Sequence, residues 1–360
     1  VLAVAAVSLW RLATSGPMAG AGLRETLFNL SSILTGTGFF SGSFGAWGGF
    51  ALSVAFMLGL IGGCSGSSSG ALSVFRVQLA WRALAAQIAE ISHPDRVVPL
   101  RYAGVAVGQD TISAMMLYVT GYILTIGVLS VAMTLVGVDL ESALFGIWTS
   151  IGNIGYGFGP MTAATGTFRD FPDLAKWIMT LAMLLGRLGL LAVFVLVLPR
   201  FWLRCWSAGR LTARALRTNS AGMSDLRPVI YVIGLLVAAM GVFMVFPMVL
   251  DLAQGDPHWR AFFRAAVISV VAGGAMSMAT ANAAGGTMTL QQIFLLTTGV
   301  WIAMPAFGAL PLILGAPGLS LTDALFESIS GMTTPGTPVI EGLDALPLGT
   351  NLWRGILQWL

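Results

Sequence analysis

Charge is scarce in this chain. Asp, Glu, Lys and Arg make up 9% of its 360 residues, and Lys176 is the one lysine; a soluble protein carries about 25% charged residues. Hydrophobic residues reach 56%, with a mean hydropathy of +0.86. So few charges cannot clothe a water-facing surface of this size, which excludes the soluble classes and puts most of the chain in lipid. Cysteine is nearly missing: Cys64 and Cys205 are too few for a disulfide framework. His93 and His258 stand far apart, so no metal-ligand spacing arises, and no cofactor is expected. Basic residues are not interleaved with aromatics, which argues against nucleic acid as a partner. No Gly-x-Gly-x-x-Gly element follows a strand, so any nucleotide sensing would lie in another chain. A charged leader is absent as well, and Val1 falls inside an apolar run, so residue 1 is read as a truncation.

Glycine, by contrast, is plentiful at 45 residues, which suits close helix packing and backbone that turns back within a bilayer. Apolar runs long enough to span occur at 47–72, 104–137, 174–200, 229–251, 262–281 and 287–315, with partial runs at 1–14 and 350–360. This predicts an all-α, polytopic membrane protein. Arg76, Arg82, Arg96 and Arg101 fall in one connecting segment; Arg200, Arg204, Arg210, Arg214, Arg217 and Arg227 fall in another. The positive-inside rule puts both in the cytoplasm. Three short stretches, 23–34, 142–152 and 322–332, then lie on the outer side and are too short to cross.

Those stretches are copies of one unit. They read TLFNLSSILTGTGF, ALFGIWTSIGNIGYG and ALFESISGMTTPGT, and align without a gap on Phe28, Phe145 and Phe326. Hydroxyls follow four residues on (Ser32, Thr149, Ser330) and glycines ten residues on (Gly38, Gly155, Gly336). Such repetition predicts a span, a short descending helix, an extended return loop and a second span. Glycine lets the return loop take dihedrals that a Cβ would block. It also lets main-chain carbonyls face a common axis, where they replace an ion's hydration shell. Thr35, Thr37, Thr333 and Thr334 can add hydroxyl oxygens. No carboxylate falls in the loops, so neutral oxygens point to a monovalent cation rather than Mg²⁺ or Ca²⁺.

The repeated unit resembles the membrane subunit of the bacterial Trk/Ktr potassium uptake systems, called TrkH or KtrB. GGCSGSSSGALSVFR (62–76) looks like that family's broken helix, an intramembrane gating loop. AKWIMTLAMLLGRLGLLAVFVLVLPRFW (175–202) resembles the last helix of its fourth repeat, and SGMTTPGTPVIEGLDALPLGTNLWRGILQWL (330–360) its first filter loop and the following helix. The resemblance implies potassium uptake across the bacterial inner membrane by a multi-pass protein with four non-identical pore repeats. It implies filter positions at Thr35, Gly36, Thr37 and Gly38; at Gly152, Asn153, Ile154 and Gly155; and at Thr333, Thr334, Pro335 and Gly336. Glycine at the last place of each is the potassium-favouring form. Gate or barrier roles carry over to Arg187 and to Gly62, Gly63, Gly66, Ser67 and Gly70. Implied partners are the lipid bilayer, a second copy in a homodimer and a cytosolic nucleotide-binding regulatory subunit (TrkA- or KtrA-like).

The order of repeats departs from the family. Residues 1–75 read as the third pore unit with its broken helix, 76–103 as a basic cytoplasmic loop, and 104–202 as the fourth unit. A basic linker (203–228), an N-terminal hairpin (229–286) and the first unit (287–360) follow. Met223 reads like a start, and the second repeat is missing, so the chain reads as the tail of one copy joined to the head of another. Ser73 stands where the family often has a lysine.

Other residues admit two readings. Arg187, between Gly186 and Leu188 in an apolar span, is functional by default because an intramembrane arginine costs about 2.5–3.5 kcal/mol on insertion scales; it also suits a packing role against carbonyls near Gly66. Asp110, Asp139 and Glu141 are expected at solvated span ends, Asp323 as a helix cap, Glu327 as an acid able to concentrate cations in an outer vestibule, and Cys64 as a buried small residue. A secondary transporter with discontinuous helices shares the glycine-rich backbone, but its repeats are inverted whereas these run in one sense. An intramembrane serine enzyme needs a base in reach, and neither histidine lies in a span, so no enzyme is expected. A nonfunctional fragment is the remaining alternative.

Overall fold

The computed structural model describes residues 2–15, 20–41, 44–64, 66–67, 69–93, 101–102, 104–163, 166–190, 193–194, 225–283 and 288–360. The expected linker as far as residue 224 therefore lies outside the described residues, as do Met223, Arg96, Arg200, Arg204, Arg210, Arg214, Arg217, Ser65, Ser68 and Cys205. Apart from a hairpin of two residues per strand (Arg101–Tyr102 with Val105–Ala106), the regular structure described is helical. Four helical stretches among the described residues are long and apolar enough to cross a membrane: Asp110–Leu135, Arg227–Ala253, Trp259–Ala279 and Leu290–Leu314. The protein is a polytopic all-α membrane protein.

Two compact units form. One comprises residues 1–190 together with Thr333–Thr337; the other comprises 191–332 and 338–360. In the first unit, α1 (Leu2–Ser15), α2 (Gly20–Thr35) and α3 (Gly49–Ile61) pack on one another, and α4 (Val74–Ser92) leads to the long α5 (Gln109–Leu135). Helix α6 (Leu140–Gly152) packs against α3, α5 and α8 (Asp173–Leu188), with the single turn α7 (Pro160–Ala163) between. Two sets of span, short helix and span are thus joined through α3 and α6. Trp148 seals the junction: its ring is buried, and its Nε1 donates to the Phe56 carbonyl at 3.1 Å.

In the second unit, α9 (Arg227–Phe243) and α10 (Val245–Ala253) form one nearly continuous span that pairs with α11 (Trp259–Ala279). The pairing is close because glycines face each other: a Cβ on Gly273 would stand 2.5 Å from the Gly234 oxygen. Such small-residue contacts replace the hydrophobic drive that lipid does not supply. A third set follows in α12 (Leu290–Gly308), α13 (Leu310–Leu314), α14 (Leu321–Met332) and α15 (Leu348–Trp359). Thr289 and Gln292 begin α12 with reciprocal cap bonds of 3.3 and 2.8 Å.

Local chemistry revises several expectations. The run 47–72 is not one span, because α3 ends at Gly62 (φ +66). Asp139 is no idle solvated acid: its carboxylate caps α6 by accepting from the Ser142 amide at 2.9 Å. Ser320 caps α14, its Oγ accepting from the Asp323 amide at 3.1 Å and donating to the Asp323 carboxylate at 2.9 Å. Cys64 is exposed rather than buried, because the chain leaves the helix two residues before it.

Candidate functional site

Helices α2, α6 and α14 are the three short stretches of the repeat, and each runs into a return loop of the same backbone design. Eight residues beyond the aligned phenylalanines the chain is left-handed at Gly36, Asn153 and Thr334 (φ +72°, +51° and +75°). Two residues later it is left-handed again, at Gly38, Gly155 and Gly336 (φ +78°, +98° and +65°). The residues between, Thr37, Ile154 and Pro335, are not among the positive-φ positions, and the ring of Pro335 enforces the negative sign. In a β-strand successive carbonyls point opposite ways; alternating handedness lets them turn to one side, the arrangement a carbonyl-lined ion path needs. Asn tolerates the left-handed region, but a β-branched Thr334 there is strained by about 1–3 kcal/mol, and such strain gathers at functional sites.

The three loops meet. Residues 333–337 belong to the same compact unit as the other two loops. A Cβ on Gly155 would overlap the Pro335 carbonyl oxygen, and one on Gly38 would overlap the Ile154 oxygen and stand 3.0 Å from that of Pro335. A Cβ on Gly36 would lie 3.4 Å from the Asn153 oxygen. Gly38 and Gly155 therefore sit against carbonyl groups of a neighbouring loop, with no room for a side chain. Amides are drawn back to the helices: the Thr37 amide bonds the Ser32 carbonyl at 3.0 Å, and its counterpart Ile154 bonds that of Thr149 at 2.9 Å. The Thr149 hydroxyl also accepts from the Gly155 amide at 2.8 Å. Backbone donors engaged in this way are not aimed at a cation.

Side-chain oxygens differ in availability. Gly152, Asn153, Ile154 and Gly155 are buried, as are Thr333 and Pro335, whereas Thr35 and Thr37 are exposed. The Thr35 hydroxyl bonds its own helix at Ser31 (2.9 Å) and meets Thr37 Oγ1 at 2.7 Å. The Thr334 hydroxyl oxygen is buried and lacks a hydrogen-bond partner. Tyr156, which the sequence did not single out, ties two loops together: its hydroxyl donates to the Phe39 carbonyl at 2.7 Å.

Beneath two of these loops lies the interrupted stretch 62–73. It doubles back, with the Leu72 amide bonded to the Leu60 carbonyl (3.1 Å) and Val74 to Gly63 (3.0 Å). Gly62 and Gly66 take positive φ, as does Ser73, and a Cβ on Gly70 would come within 2.6 Å of the Ile151 oxygen. The Gly70 amide donates to the Gly152 carbonyl at 3.1 Å, and Ser69 stands 3.5 Å from where a Gly36 Cβ would be. Gly66, Ser67, Gly70 and the half-buried Arg187 line a cavity of about 250 Å³ that Cys64 also borders. With its amide nitrogen donating to the Ser150 carbonyl (3.1 Å), Asn153 accepts from the Arg187 backbone amide (3.3 Å). Gly62 is buried and Gly63 partly so, but neither lines this cavity.

Glu327 is not a vestibule acid. It is 5% exposed and paired with Arg354, whose Nε lies 2.7 Å and Nη2 2.6 Å from its Oε1. Burial of that carboxylate is stabilised by the guanidinium, which removes it from any bulk role in gathering cations.

Known proteins resemble this chain over part of its length. A family model described as "Cation transport protein" (TrkH) matches residues 13–202. The Trk system potassium uptake protein TrkI of Halomonas elongata is 36% identical over 202 residues, covering 56% of this chain and 41% of that protein. TrkH of Escherichia coli K12 is 29% identical over 180 residues, covering 50% of this chain and 37% of that protein. A crystal structure of the potassium transporter TrkH from Vibrio parahaemolyticus aligns with a TM-score of 0.52 at 28% identity, covering 56% of this chain and 42% of that one. The chain thus spans about two fifths of the length of the curated relatives it matches.

Proposed function

This chain belongs to the TrkH family of cation transport proteins, and on that premise we propose that it takes part in potassium uptake across a bacterial inner membrane. The ion passes through the three return loops, dehydrated and held by main-chain oxygens. The observation that carries this reading is the contact of Gly38 and Gly155 with the Ile154 and Pro335 carbonyls, in loops whose left-handed positions match one for one. Oxygens so placed are neutral and closely spaced, which suits a monovalent ion that sheds its water cheaply. The filter comprises Thr35–Gly38, Gly152–Gly155 and Thr333–Gly336.

Conduction is gated by the stretch from Gly62 to Gly70. It is hydrogen-bonded to the end of α6 at Gly152, so its movement is felt where a filter loop begins. Arg187, on the same cavity, opposes cation flow electrostatically. The pore units are 1–75, 104–202 and 287–360, with a basic loop (76–103), a linker (203–228) and a hairpin (229–286) between them. The working assembly is a homodimer resting on a cytosolic nucleotide-binding regulatory subunit.

The test is expression of the chain in a bacterium lacking its own potassium uptake systems. Growth at micromolar potassium and saturable Rb⁺ uptake are expected. Growth no better than an empty vector, from a protein shown to reach the membrane, would overturn the reading.

A further inference from the structure

Two of the three return loops are pinned by the same device. Asn29 follows the aligned Phe28 by one residue; its Oδ1 accepts from the Ser41 amide at 2.8 Å and its Nδ2 donates to the Ser41 carbonyl at 2.9 Å. Glu327 follows the aligned Phe326 by one residue, and its Oε2 accepts from the Val339 amide at 2.9 Å. Ser41 and Val339 both lie twelve residues beyond their clamping side chain and three beyond the aligned glycine. Asn29 is fully buried and Glu327 almost so. An unrelated amide and carboxylate thus perform one task at one place in the repeat: each bridges the short helix to the far end of its return loop.

The remaining loop has Gly146 at this position, which offers no side chain. It is held instead by Thr149 and by Tyr156, whose hydroxyl reaches Asn29 Oδ1 at 3.2 Å as well as Phe39. Asn29 therefore steadies one loop directly and another through Tyr156. Arg354 holds the Glu327 carboxylate from its other oxygen, fixing where Oε2 points.

We propose that Asn29 and Glu327 are positioning residues that set ion selectivity by fixing both ends of the loop that carries the carbonyls. This rests on the potassium reading above. A chain segment pinned at each end cannot close its oxygens around an ion smaller than K⁺, whereas a segment released at one end can contract onto Na⁺. Selection by a fixed cavity requires such restraint. At Asn29 the clamp uses the side-chain oxygen and the Nδ2–H together; at Glu327 it uses one oxygen for the Val339 amide and the other for Arg354.

The test uses the full chain in liposomes, comparing initial Rb⁺ and Na⁺ uptake under equal gradients, with amide hydrogen exchange at Ser41 and Val339 measured on the same samples. The uptake ratio does not depend on protein yield. Asn29→Ala and Glu327→Ala are expected to lower the Rb⁺ preference about tenfold, each with faster exchange at its partner amide. Asn29→Asp, which turns an oxygen toward the Ser41 carbonyl, and Glu327→Gln, which turns an N–H toward Arg354 or the Val339 amide, each lose one bond of the clamp and are expected to fall between wild type and the alanine variants. If Glu327→Ala does not fold, Asn29→Ala decides the matter. An unchanged ratio in Asn29→Ala would overturn the clamp while leaving the potassium reading intact. A wild-type chain that takes up Rb⁺ no faster than protein-free liposomes would overturn that reading and this inference with it.

Discussion

The α-carbon of Gly155 lies so near the carbonyl oxygen of Pro335 that one added methyl group would overlap it. Backbone meets backbone here, and neither side can swing away. Gly155→Ala is therefore expected to cost about 1–3 kcal/mol in overpacking, with a further ~1–2 kcal/mol for a left-handed non-glycine residue. Gly166 shares the positive φ (+67°), but a Cβ there meets nothing within 4 Å. Gly166→Ala should lose only the conformational part. Thermal unfolding in detergent separates the two, and equal losses would contradict the close approach.

A buried carboxylate joins three elements of the second unit. Asp251, 1% exposed, accepts from the Gly349 amide at 2.6 Å and meets His258 Nδ1 at 2.8 Å. Asp251→Ala would strand both partners in a dry site, at a cost on the order of 3 kcal/mol. The Asp256 carboxylate accepts from the His258 amide at 2.9 Å, so Asp256→Ala should cost about 1 kcal/mol. Urea titration of the two variants in mild detergent ranks them.

Arg187 lines the cavity bordered by Gly70, and the proposed barrier role has its charge oppose an approaching cation. Arg187→Gln is expected to raise Rb⁺ uptake per molecule several-fold. Gly70→Ala should lower it, because a Cβ there would come within 2.6 Å of the Ile151 oxygen and 2.7 Å of Asn153 Nδ2. Unchanged rates in both would remove this stretch from the conduction path.

Cys64 borders the same cavity and is exposed. In a Cys205→Ser background, a charged methanethiosulfonate reagent should label Cys64 without denaturant and slow uptake, and a reductant should restore the rate. Full labelling with no change in rate would mean that ions pass elsewhere.

Most of the architecture was legible because lipid imposes simple rules. Spans need long apolar runs, and a gapless three-point repeat has few explanations besides a repeated fold. The spans 229–251 and 262–281 appear within a few residues of their helices. What escaped were decisions made by tertiary contact. The glycine- and serine-rich run from Gly62 already marked a break in 47–72, but not that Leu72 turns back onto Leu60. Composition made Glu327 look like a vestibule acid, whereas Arg354, 27 residues on, takes it out of solvent. The equivalence of Asn29 and Glu327 was hidden because their side chains differ and only the bonded amides match. The left-handed Asn153 and Thr334 share a repeat position with Gly36, which the glycines at Gly38, Gly155 and Gly336 do not by themselves reveal.

The claim underlying all of this is that carbonyls from three return loops hold one dehydrated monovalent ion. Anomalous diffraction from crystals of the protein grown in Tl⁺, a heavy surrogate for K⁺, tests it directly. The account expects a peak bounded by the main-chain oxygens of Thr35–Gly38, Gly152–Gly155 and Thr333–Gly336, weakened by added K⁺ and not by Na⁺. Ordered loops with no peak among them, or a peak elsewhere that K⁺ displaces, would contradict it.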